Sequence, residues 1–322
     1  MTALHHSLLP RVALPALALL IAFPPVMQAI DQPFYIVLAT RILIFALAAS
    51  SLNLLIGFGG MVSFGHAAFF GTGAYTVGIL MVHGVDSAWI AWPAAVLASA
   101  LAALLIGAIS LHTRGVYFIM ITLAFAQMIY YLFVSLKAYG GDDGLTLAGR
   151  SQVGFGVDLA SDVVFYYVVL AIVALLLALL GRMVNARFGR ALQAVRENET
   201  RAQAIGFPAY RYKLACFVLG GAVAGLAGVL IVNQNELASP NLLHWMQSGM
   251  LLIMVILGGV GFLYGGVLGA LVLLLLEETL SEYTIHWQFG VGLILLAVVL
   301  FAPNGLLSLA QRRTPSARGA SG

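Results

Sequence analysis

Ten long apolar runs divide this chain almost from end to end, and that pattern leaves few folds open to it. The runs lie at 11–30, 34–56, 63–83, 88–111, 115–136, 162–181, 213–232, 247–260, 262–280 and 287–303. A helix needs about 20 mainly apolar residues to cross a bilayer. In lipid, backbone polar groups must be satisfied within the protein, so such runs are helices. Composition agrees: 62% of residues are hydrophobic and 8% charged, whereas a soluble domain is about 25% charged. The expected fold is an all-α polytopic membrane protein with about ten transmembrane helices. The run at 247–260 is short enough to be a half helix. Residues 12–30 follow Arg11 as a secretory signal would. Pro24 and Pro25 interrupt them, and no small-x-small cleavage site precedes Asp31, so a retained first helix is expected.

The charges give an orientation. With the N-terminus inside, the inner segments hold Arg11, Arg114, Arg182, Arg187, Arg190, Arg196, Arg201, Arg211, Lys213, Arg312, Arg313 and Arg318, 12 of the 15 basic residues. The outer segments hold Lys137 and Arg150, and Arg41 lies within the second run. Basic residues concentrate in cytoplasmic loops. Both termini are therefore expected inside, with an even number of crossings. Among the acids, only Glu197 and Glu199 fall inside. Glu277, Glu278 and Glu282 cluster at an outer end, where they either meet a partner or keep that face soluble.

Two connections are long. The outer 137–161 loop carries the turn-rich stretch Gly140-Gly-Asp-Asp-Gly144. The inner 182–213 segment is the one sizeable cytoplasmic stretch. There is also an internal echo. Gly57, Gly59, Gly60, Gly65, Gly71 and Gly73 interrupt one apolar stretch; Gly258, Gly259, Gly261, Gly265, Gly266 and Gly269 interrupt another. Paired interruptions mark the path in duplicated transporters. Small residues also serve plain helix packing. Both roles fit. On the first, the candidate path residues are Ser63, Gly65, His66, Gly71, Gly258, Gly259 and Gly261. His66 is a structural hydrogen-bonder or a solute ligand, and the former is preferred.

Enzyme chemistry finds no support. The chain has no Gly-x-x-x-x-Gly-Lys-Ser/Thr phosphate loop and no His-Glu-x-x-His pair, and its two lysines do not follow glycine. No metal, bound cofactor or nucleic-acid partner is expected, and the lone Cys216 reads as a packing residue. Arg41 is expected to snorkel outward. No buried acid offers a proton relay of the kind secondary carriers keep. Energy would then come from a partner.

Residues 189–208 read as helix in water. Leu192, Val195, Ala202 and Ile205 share a face, which suggests an apolar stripe with no core to enter. Glu197 and Arg201 stand i,i+4 with the acid first. Gly206 and Pro208 give a stop. The segment suits either a helix lying on the bilayer or a docking element for a cytoplasmic protein. The second reading rests on Arg190, Leu192, Val195, Arg196, Asn198, Arg201, Ala202, Ile205 and Gly206.

Four stretches together resemble the permeases of the branched-chain amino acid ATP-binding-cassette family, the M-type subunit in particular. They are Ser51–Tyr75, Gly189–Gly206 running on to Leu214, Gly258-Gly-x-Gly261, and Ala302-Pro-Asn-Gly-Leu306. The resemblance divides the chain into a first helix at 1–33, a permease domain at 34–307 with its coupling loop at 182–213, and a basic tail at 308–322. It implies a second homologous permease subunit, two cytoplasmic ATPases that use ATP, a periplasmic or surface solute-binding protein, and lipid around the helices. Within this class the alternative solute is urea or a short amide. Outside it stand an autonomous channel or secondary carrier, which would transport alone, and a membrane-embedded enzyme, which would need convergent catalytic groups.

Overall fold

The computed structural model describes residues 5–154, 158–283, 285–302 and 305–308, with side chains from residue 15 onward. Arg312, Arg313 and Arg318 of the basic tail, Pro303 and Asn304 of the closing motif, and the Arg11 side chain lie outside the described residues.

Every apolar run contains a helix: α1 His5–Ala29, α2 Phe34–Asn53, α3 His66–Val82, α4 Ala88–Ser110, α5 Val116–Ser135, α6 Asp162–Asn185, α9 Ala209–Asn235, α10 Trp245–Gly258, α11 Gly265–Tyr283 and α12 Trp287–Phe301. Two polar helices, α7 Arg187–Glu197 and α8 Glu199–Ala204, fill most of the long 182–213 segment. Among the described residues, five helices are long and apolar enough to cross a membrane: α2 with its continuation to Phe58, α4, α5, α6 and α9. At 14 residues, α10 is about 21 Å long, short of a ~30 Å hydrocarbon layer.

α2 and α9 form the spine. α2 packs against α6, α9, α10 and α11, and α9 packs against α3 and α4. The contacts are close because small residues line them. A Cβ on Gly228 of α9 would overlap the Phe70 carbonyl of α3, and one on Gly73 would lie 2.8 Å from the Gly225 Cα. Helices in lipid gain little from apolar surface alone and rely on such fits.

The described part of the 137–161 loop is tied down. β1 (Leu145–Thr146) pairs antiparallel with β2 (Leu237–Ala238). Arg150 donates to Leu159 O at 2.9 Å and to Asp162, and its guanidinium lies 4.8 Å from the Phe165 ring centre. Asn233 Oδ1 accepts from Ser151 N at 2.7 Å.

One charge expectation changes. Arg41 does not simply reach outward: it faces Glu277 of α11 at 3.9 Å and lies over Phe45. Glu277 Oε2 is buried without a hydrogen-bond partner. A partly buried acid therefore does stand within the bundle, paired with Arg41.

Candidate translocation and coupling site

The two glycine-interrupted stretches meet in space. α2 runs into a π-helical turn at Leu54–Phe58, and the chain then takes an irregular path to α3. The turn between α10 and α11 lies against it. A Cβ on Gly57 would stand 2.5 Å from Gly261 N and 2.7 Å from Gly261 Cα, so residue 57 has no room for a side chain. Asn53 locks the contact, donating from Nδ2 to Phe262 O at 2.7 Å and accepting from Gly261 N at 3.0 Å. Gly259 and Gly261 both have positive φ, 120° and 82°, which a tight turn demands and glycine permits. Gly258 packs against Gly265 and Gly269 of α11. Gly305 returns against Gly259, and Leu306 joins the main core.

The other stretch wedges between helices. Phe64 N donates to Thr122 Oγ1 of α5 at 3.3 Å, and Ala67 N donates to Ser248 Oγ of α10 at 2.8 Å. Ser63 Oγ accepts from Gly65 N at 3.1 Å. His66 is fully buried, and its Nε2 bonds Ser51 Oγ at 2.7 Å. Nothing adjacent in sequence marks that pairing; it spans the α2–α3 contact. Gly71 lies apart from this group, against Leu243 nearer the outer side. Ser63, Gly65 and His66 therefore come together, while Gly258, Gly259 and Gly261 form a second group at the inner junction.

The 187–208 segment differs from its expectation in two respects. It is not one helix. Asn198 breaks it, with φ −155°, and caps α8 by accepting from Arg201 N at 2.8 Å. Glu197 and Arg201 thus belong to different helices and lose their i,i+4 register. Nor is the stripe without a core. Leu192 and Val195 are each 1% exposed. Leu192 packs with Leu54, Leu55 and Phe217, and Val195 with Ala202 and Ala209. A helix flanked by spans on both sides folds back onto their ends, because its apolar face gains more there than in water. Only Ile205, 69% exposed, remains outside. The exposed surface of the pair includes Arg190, Ala194, Glu197, Arg201, Ile205 and Gly206. Gly206 ends α8 at φ 91°, and Phe207 N reaches back to Ala202 O at 3.0 Å.

Arg196 connects the two assemblies. Its Nη1 donates to Gly57 O, and its stem lies against Gly60. α8 is tethered as well: Glu199 accepts from Lys213 Nζ at 2.8 Å and lies 3.5 Å from Arg114. Sequence reasoning missed Asn53, Thr122 and Ser248. Asn53 left a trace, a lone amide in an apolar run, and such residues seldom stand there idle.

A glycine-bridged junction thus lies within the helical bundle, held by an arginine from the polar α7–α8 pair. The profile of the family described as branched-chain amino acid transport system / permease component matches residues 34–302. The chain belongs to that family. Its relatives include the high-affinity branched-chain amino acid transport system permease protein LivM of Salmonella typhimurium. That protein is 29% identical over 297 residues, covering 85% of this chain and 70% of the relative. LivM of Escherichia coli is 28% identical over 307 residues, 88% of this chain and 72% of the relative. The permease protein LivH of Escherichia coli is 28% identical over 280 residues, 82% and 91%. No solved structure matches the chain. This permease is therefore an all-α, multi-pass membrane protein, as the sequence led one to expect.

Proposed function

We propose that this chain is the permease subunit of an ATP-binding-cassette importer that moves branched-chain amino acids inward across the bacterial cytoplasmic membrane. It catalyses no covalent step and binds no cofactor. Two ATPases dock on its inner surface, a second homologous permease completes the pathway, and a binding protein delivers solute outside. The observation that carries this reading is the α7–α8 pair. It is polar and exposed on one face, packed on the other, and bonded through Arg196 to the junction of α2 with the α10–α11 turn. A push on it reaches the transmembrane core directly.

The docking face is the exposed one. Replacing Arg190 and Arg201 with glutamate and Ile205 with aspartate leaves the buried Leu192 and Val195 untouched. Interface anchors often contribute more than about 1 kcal/mol each. Copurification of the ATPases with this triple variant should fall at least tenfold, with the permease still inserted. Normal copurification together with normal uptake would remove the docking assignment.

The ten-crossing arrangement with both termini inside has its own test. In a Cys216→Ser background, Asp142→Cys in the outer loop should react with an impermeant thiol reagent from outside. Glu197→Cys on α7 should react only after the membrane is opened. Labelling of both from one side would reject the topology.

A further inference from the structure

Two partly buried glutamines each have one amide atom that is shut off from solvent and unsatisfied. Gln127 Oε1 on α5 and Gln247 Nε2 on α10 are both buried without a hydrogen-bond partner. Such atoms are scarce in folded proteins, because each forfeits a hydrogen bond it made in water.

Their placement is related. Val116 of α5 and Gly258 of α10 both lie at the end of the molecule that carries α7 and α8. Arg114 reaches Glu199 of α8, and Gly261 lies beside Arg196 of α7. Counted from that end, Gln127 and Gln247 each stand about 16 Å up their helices. That is near the middle of a ~30 Å hydrocarbon layer. One turn farther out, the Tyr130 and His244 rings lie 5.3 Å apart and close the seam above them. Below, Phe64 and Ala67 are bonded to Thr122 of α5 and Ser248 of α10. Of the five long apolar helices, α5 is the least buried, so its packing leaves it freest to move.

The pair thus offers one unmet acceptor and one unmet donor at one depth, not bonded to each other. We propose that Gln127 and Gln247 form a midplane solute site at the α5–α10 seam for the charged end of a zwitterionic amino acid. The ammonium group donates to Gln127 Oε1, and Gln247 Nε2 donates to the carboxylate. This rests on the transport reading above and adds to it the groups that hold the solute. Midplane binding beside interrupted helices suits a transporter.

The test uses the complete importer in proteoliposomes with ATP inside and leucine-loaded binding protein outside. If the unaltered complex takes up no leucine, the transport reading itself fails. Given uptake, Q127L and Q247L should each reduce it at least tenfold with the ATPases still bound. The two charge variants should differ: Q127E, still an acceptor for the ammonium group, should keep at least a third of the uptake. Q247E, which faces the carboxylate, should lose it at least tenfold. A structural role would not produce that asymmetry. Should the leucine variants fail to assemble, Gln127→Cys in the Cys216→Ser background reads binding directly. Leucine should slow its modification at least threefold, and leucinamide, which lacks the carboxylate, should not. Uptake within twofold of normal in Q127L and Q247L, equal behaviour of the charge variants, or labelling unaffected by leucine would overturn the proposal.

Discussion

Replacing Arg196 with alanine should leave the importer assembled but uncoupled. Uptake is expected to fall at least tenfold while the ATPases still copurify, and their hydrolysis should no longer respond to loaded binding protein. The reason lies in what Arg196 touches. Its guanidinium holds Gly57 O, its stem fills the space beside Gly60, and Gly261 lies within reach. Asn53 binds the Gly261 turn to the same point. One side chain from α7 therefore holds the first glycine stretch directly and reaches the second through Asn53. A hydrogen bond from a charged donor contributes about 1.5–3 kcal/mol, so its loss leaves α7 joined to the end of α2 by apolar packing alone and weakens the transfer of a push. Lysine keeps the charge but not the planar fork, and Arg196→Lys should restore only part of the uptake. Uptake within twofold of normal in Arg196→Ala would show that force travels by another route.

A larger effect is expected at the α3–α9 contact. Gly228→Leu should yield no folded permease, and Gly228→Ala should lower the midpoint of thermal aggregation sharply. A side chain at residue 228 would occupy the place of the Phe70 carbonyl. That atom is main chain within a helix and cannot swing aside as a side chain can. Overpacking of a core typically costs about 1–3 kcal/mol, and occasionally more. Here the obstacle is rigid and the neighbouring Gly73–Gly225 approach is just as close, so strain at one glycine opens the other. Size-exclusion profiles of detergent extracts would measure this directly. An unchanged profile for Gly228→Leu would mean that α3 and α9 stand farther apart.

The sequence made the helices legible because apolar length and basic loops are strong signals that need no tertiary knowledge. All ten runs contain helix, and the glycine-rich stretches did mark the interrupted segments. Contacts between distant segments left fainter traces. Nothing in the spacing of Ser51 and His66 says that they bond, nor does any pattern pair Arg41 with Glu277. The inner segment misled for a physical reason. An amphipathic stripe reports that one face is apolar, but not whether a partner or the chain itself covers it. Leu192 and Val195 turned inward because apolar surface at the end of α2 and on α9 stands beside them in space. The orphan amides of Gln127 and Gln247 lay hidden for the same reason: an unmet hydrogen bond is a property of surroundings, not of spacing.

The wide turn at Leu54–Phe58 gives the inner end of α2 a spare residue. A π turn holds one residue more than an ordinary helical turn. If it tightens, the chain beyond it rotates by about 100° while the helix above keeps its register. Gly57, the residue that Arg196 holds, lies within that turn. The slack is therefore stored where the polar helices pull, so a short stroke at the inner surface can be taken up as rotation without unseating the buried spine.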